Sequence, residues 1–217
     1  QALYVVGQHG SNYGTHRYLS NPSIEEKTSD IFLTWGWDGD FPQHQASGIF
    51  IQAKRPIRVK RKPTKSICLL QLHFPHLYET WDTAYEYEQY FDDQLSFISS
   101  LNVELKQKLT VRLHPNHAQH NWQDKNRWEK FEPSIKIDDC FYFDILRESS
   151  GLKVFSYDSA GFLIGLSYNT PTIAFWQNGL GHLRQEAVED YRQLVDAGIV
   201  HLSPLSAANH INENFDD

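Results

Sequence analysis

The chain has 217 residues, 40% of them apolar and 22% charged, with a formal net charge of -7. That is ample length for a buried core and the wrong composition for a disordered chain. The acidic balance argues against broad, sequence-independent binding of nucleic acid. One basic run, "KRPIRVKRKPTK" from Lys54 to Lys65, stands apart. It reads as a solvated loop over about 53–65, or as a patch for an anionic membrane surface or glycan. The two cysteines, Cys68 and Cys140, each lie in apolar surroundings and read as buried thiols. No apolar run approaches the ~20 residues of a membrane span, and no signal peptide is visible. A cytoplasmic location is expected, with the basic loop as the one peripheral contact to the inner face of a membrane. The chain starts abruptly and contains no Met; it reads as one 217-residue domain cut from a longer protein.

In chain order, "ALYVVGQHG" predicts a strand ending in a turn at His9-Gly10, and "DIFLTWGW" a second strand ending at Gly36. "GIFIQAK" predicts a third, and "SICLLQLHF" a strand buried on both faces. Apolar residues between Thr83 and Leu101 recur at helical spacing. "LTVRLHP" is the next strand, "DKNRWEKF" a short helix, "PSIKIDD" a strand and "FYFDILRES" a helix. "KVFSYDS" and "PTIAFW" are strands flanking the helix "SAGFLIGLSYN", closed by Asn169. "GHLRQEAVEDYRQLVDAG" is a helix stopped by Gly198, and "IVHLS" and "PLSAANHIN" complete the chain. Alternation of strand and helix from Ser66 onward predicts an α/β fold, a Rossmann-like, mainly parallel sheet with helices on both faces. Ligands bind such sheets at the carboxyl ends of the strands.

That rule sorts the candidate residues. In "SYDSAGFLIGL" a helix starts near Ser159, and free N–H groups there favour a phosphate or other anion. Ser159 adds a hydroxyl, and Gly161 lets a ligand approach the backbone. An ordinary capped helix start has the same residues. In "VRLHP", Arg112 and His114 share one strand face and Pro115 ends the strand; His114 is placed to offset charge on a leaving phosphate. A surface histidine at a strand end fits equally. His9 and Gly10 sit in a glycine-rich turn suited to close ligand approach. Arg184 opens a helix and could reach an anionic donor, or simply be solvated. His114, His117 and His120 do not make a zinc set, because Pro115 disfavours helix at His114. Asp38 and Asp40 form a DxD pair, which could hold Mn²⁺ or Mg²⁺ or supply a catalytic base, and which also fits a tight turn. No metal and no cofactor are expected.

Taken together, "QHGSNYG", "TWGW", "VRLHP", "SYDSAGFLIGLSYNTPTIAFW" and "LRQEAVEDYRQLVDAGIVH" resemble the C-terminal part of sugar transferases encoded in bacterial capsule and O-antigen gene clusters. The resemblance covers nearly the whole chain and is strongest from Val111 to His201. Ser11 and Asn12 stand where glycines would be expected. More loosely, His114-Pro115 and Ser159 are similar to the His-Pro and serine motifs of Kdo transferases, sialyltransferases and teichoic-acid glycerophosphotransferases. The resemblance implies the nucleotide-binding half of a metal-independent GT-B-like glycosyltransferase. It implies a CMP-linked or other nucleotide-activated sugar donor, a glycan or glycolipid acceptor, and an N-terminal half of the same enzyme. His114 and His9 would then be catalytic. Arg112, Pro115, Gly10, Ser159, Ala160, Gly161 and Arg184 would hold the donor. Transfer of glycerophosphate from a CDP-glycerol-type donor, or a non-catalytic nucleotide- or carbohydrate-binding module, fits the same residues.

Overall fold

The computed structural model describes residues 2–18, 22–39, 41–49, 65–72, 83–117, 123–138 and 151–215. The basic run up to Thr64, Asp40, His120, Cys140 and the predicted helix "FYFDILRES" lie outside these residues. Two sheets are present among them. Strands β1 (Val5–Gly7), β2 (Ile31–Thr34) and β3 (His44–Ala46) form a small sheet in that order, parallel throughout. Short helices α1 (Asn12–Thr15) and α2 (Ile24–Thr28) lie between β1 and β2. Helix α2 has a complete capping box, Ser23 Oγ accepting from Glu26 N–H while Glu26 accepts from Ser23 N–H. A strand not expected from the sequence runs over His44–Ala46; of the predicted "GIFIQAK" only Gly48 and Ile49 lie within the described residues, and neither is in a strand.

The second sheet has six strands: β4 (Ile67–Leu70), β5 (Leu109–Arg112), β6 (Lys136–Asp138), β7 (Leu152–Phe155), β8 (Thr172–Phe175) and β9 (Val200–His201). Their order is β6-β5-β4-β7-β8-β9, with every pair parallel. Counting from β4, this is the 3-2-1-4-5-6 order of a doubly wound dinucleotide-type sheet. The remaining helices are α3 (Thr83–Ser100), α4 (Val103–Lys106), α5 (Asp124–Phe131), α6 (Ala160–Ser167), α7 (Gln185–Asp196) and α8 (Pro204–Asn214).

Strand alternation assigns the two faces. Ile67, Leu69, Leu109, Val111, Val154 and Phe175 join one core with Phe97, Leu105, Trp128 and Ala207 of α3, α4, α5 and α8, and with Leu101 between α3 and α4. Phe97 stacks on Phe175 at 4.9 Å. Leu70, Phe155, Ala174 and Val200 face the opposite way, onto Phe162 and Ile164 of α6 and Tyr191 of α7. Burial on both faces is why these strands read as near-continuous apolar runs. Asn169 takes a left-handed φ of 52° after α6, and Gly198 one of 68° after α7, so both helix ends are made as their residues predict.

The small sheet is tied to the large one by a short antiparallel seam. His16 bridges Leu183, Arg17 N–H donates to His182 C=O at 3.0 Å, and Arg184 N–H donates to Thr15 C=O at 2.7 Å.

Candidate functional site at the strand carboxyl ends

The order reverses between β4 and β7, so the crevice of a doubly wound sheet opens at Gln71 and Ser156. A buried polar chain lines it. Gln71 Nε2 donates to Gln94 Oε1 at 2.9 Å, and Gln94 Nε2 donates to Ser156 Oγ at 2.6 Å. Tyr90 OH accepts from Leu72 N–H at 2.8 Å, and burial pushes its phenol up to about 12. Helix α3 therefore holds the ends of both central strands by hydrogen bonds, where apolar residues would leave buried polar groups unmet.

Of the residues expected to bind a donor, those that follow β5 and β7 flank this crevice. His114 and Pro115 follow β5, and Pro115 opens a single 3₁₀ turn to His117. Ser159 caps α6 after β7 in extended conformation (φ -132°), leaving its side chain without a capping bond. The backbone does that work, Ser159 C=O accepting from Phe162 N–H at 3.0 Å. Ser159 Oγ is shielded from solvent and has no partner. Ala160 packs on the α6 side of the core and Gly161 is buried in the first turn. Strands β5 and β7 both pair with β4, which puts them two strand spacings, roughly 10 Å, apart. Arg112 is fully buried, with one guanidinium nitrogen on Asp138 at 3.2 Å and Nε and Nη2 unmet.

His9 and Gly10 follow β1 in the other sheet. His9 is largely exposed, and its Nδ1 lies 3.0 Å from Tyr13 OH, which also donates to Glu25. Burial and the Glu25 hydrogen bond push the Tyr13 phenol up. The turn itself is built by Gln8, whose Oε1 accepts from Trp35 N–H at 2.9 Å and Trp37 Nε1–H at 2.8 Å. "QHG" and "TWGW" are thus one structure held by a buried glutamine. Gly10 has open space beside its Cα and no left-handed φ, so the fold places no demand for glycine there. A cleft of about 740 Å³ opens between these turns and α7, lined among others by Ser11, Arg17, Trp37, Arg184 and Tyr191. Arg184 Nε donates to His16 C=O at 3.1 Å, and its Nη2 is unmet.

One constellation was not anticipated. Asp158, three residues past β7, is buried, and its Oδ2 lies 2.9 Å from His182 Nε2 and 3.3 Å from His16 Nε2. Tyr191 OH donates to Oδ1 at 2.9 Å. Burial works to raise the Asp158 pKa, but the hydrogen bonds from His16, His182 and Tyr191 outweigh it and hold the carboxyl below its usual range. This is the one group of three metal-ligating side chains found among the described residues. His117 and Asp38 belong to no such group there. Among the described residues, no helix is long and apolar enough to cross a membrane.

The reversed strand order and the polar crevice at its switch point define a Rossmann-like α/β protein. The chain belongs to the LIC12162 family of transferases, whose profile matches residues 1–217. It is therefore a transferase. No curated protein and no solved structure matches the chain.

Proposed function

We propose that this transferase is a metal-independent GT-B-like glycosyltransferase that takes a CMP-linked sugar as donor and a surface glycan or glycolipid as acceptor. The observation that carries the reading is the switch point between β4 and β7, with the His114 loop on one side and the Ser159 loop on the other. Free N–H groups at the start of α6 and the unmet Ser159 hydroxyl supply donors for a phosphate. As the glycosidic bond breaks, negative charge grows on the departing nucleotide phosphate. Fixed donors at that point, His114 among them, stabilise it without reorganisation. Arg112, Pro115 and Gly161 shape the donor side, and Gly10 and Arg184 border the cleft beside α7. His9, exposed on its turn, serves as the acceptor contact or general base. A further half of the same enzyme completes the acceptor site, and the basic run toward Lys65 meets the membrane surface on which such acceptors are built.

A calorimetric panel of CMP, CDP, UDP and GDP tests this directly, followed by release of free nucleotide in the presence of acceptor. CMP binding with turnover supports the proposal. Preference for CDP with glycerophosphate transfer replaces it with the phosphotransferase reading. Binding without turnover by the intact enzyme leaves a binding module, and binding of none of the four overturns the donor site.

A further inference from the structure

We infer that His16, Asp158 and His182 form a binding site for a divalent transition-metal ion that fastens the small sheet to the six-stranded one. The three side chains come from separate parts of the chain: the loop after α1, the turn between β7 and α6, and the segment before α7. Their ligand atoms all lie within 4.8 Å of one another. A four-coordinate ion with bonds near 2.0 Å keeps its ligands roughly 3.3 Å apart, by the geometry of a tetrahedron. The Oδ2 to Nε2 separation to His16, 3.3 Å, equals that edge, and the one to His182, 2.9 Å, reaches it with a small opening of the ring.

The surroundings fit a ligand set as well as the distances do. Both imidazoles converge on one carboxylate oxygen instead of taking one oxygen each. The other oxygen is occupied by Tyr191 OH, which fixes the carboxylate plane as an outer-shell partner does in metal sites. Each ring is held edge-on by a neighbour: His16 against His182 at 5.1 Å, and His182 against Trp176 at 5.7 Å. Asp158 is 4% exposed and the histidines 17% and 25%. The cluster is thus closed below and open on one side, where water can complete the coordination. Two imidazole nitrogens and one carboxylate oxygen select Zn²⁺, Co²⁺ or Ni²⁺ over Mg²⁺ or Ca²⁺. Local spacing hid this set, because His16 and Asp158 are 142 residues apart in sequence. Its task is structural: it sits on the antiparallel seam where His16 bridges Leu183.

The test uses the 217-residue chain stripped with chelator and titrated with Co²⁺ in the absence of any nucleotide. One equivalent is expected to bind, with visible ligand-field bands of a four-coordinate centre, and Zn²⁺ is expected to compete and to raise the melting temperature. Mg²⁺ should do neither. His16→Ala and His182→Ala, checked for native circular dichroism, should each weaken Co²⁺ binding by more than roughly 100-fold, above the range for an outer-shell partner. His117→Ala should leave it unchanged. Absence of stoichiometric binding to the parent chain overturns the inference, as does binding that survives both histidine substitutions. Because no nucleotide is present, either outcome is independent of the donor proposal.

Discussion

Replacing Ser159 by Ala separates a helix cap from a ligand contact. A capping serine ordinarily loses about 1 kcal/mol on replacement by alanine. Here Ser159 Oγ makes no capping bond, and the first turn of α6 hangs on the Ser159 carbonyl, which alanine retains. The hydroxyl is also buried without a partner, so its removal relieves a desolvated group. The expected change in unfolding free energy is therefore within about 0.5 kcal/mol of zero. A hydroxyl that donates to a phosphate is worth more, about 1.5–3 kcal/mol for a hydrogen bond to a charged group. At about 1.4 kcal/mol per factor of ten, nucleotide affinity should fall roughly 10- to 100-fold. Urea denaturation measures the first quantity and calorimetric titration with CMP the second. A variant that loses 1 kcal/mol or more of stability and binds CMP as the parent does would refute the reasoning, and Ser159 would be a cap and nothing else.

Three further outcomes are expected. His114→Ala in the intact enzyme should lower turnover on the order of 10²-fold while costing only ~1 kcal/mol of stability, measured by steady-state kinetics and denaturation; a near-parental rate would remove His114 from the chemistry. Gln94→Ala should destabilise by about 2–5 kcal/mol, since it strips partners from both buried Gln71 and Ser156, and a loss under 1 kcal/mol in urea would show the polar chain to be dispensable. Burial, reinforced by nearby His210, lowers the pKa of His201, whose Nδ1 lies 3.0 Å from Ser206 Oγ and Nε2 3.0 Å from Gly198 C=O. The stability this neutral ring contributes is present above the ordinary histidine pKa of about 6.5 and lost as pH falls through the depressed folded value; melting temperatures of parent and His201→Gln should converge as pH is lowered through that window.

The large sheet was legible because its strands are buried on both faces. "SICLLQLHF", "LTVRLHP" and "PTIAFW" carry uninterrupted apolar runs, and Asn169 and Gly198 mark helix ends with residues suited to left-handed φ. The third strand was not, since "HQA" has little strand propensity and forms because Phe32–Thr34 offers it an edge. The site divides the same way. His114 and Ser159 announce themselves by standing within a few residues of strand ends. Asp158 does too, but its partners come from beyond any local window. Gln94 looks like an ordinary polar residue of α3 until the fold buries it between two strand ends. The one sequence signal for Asp158 was an acid at a strand's carboxyl end, in "SYDS".

The order of the large sheet also bears on how the chain acquires it. Strand β4 is made first of the six and lies at the middle, with β5 on one side and β7 on the other. Its β7 partner pairs Ile67 with Leu152 and so cannot arrive until some 85 further residues have been synthesised. Until then one edge of β4 lacks its β7 partner, and the face meant for α6 and α7 lacks those helices. Contacts of such long sequence separation slow folding, and an open strand edge invites other chains. Expression level and temperature, which set how many such unfinished chains coexist, will govern the yield of native protein more than the stability of the finished fold.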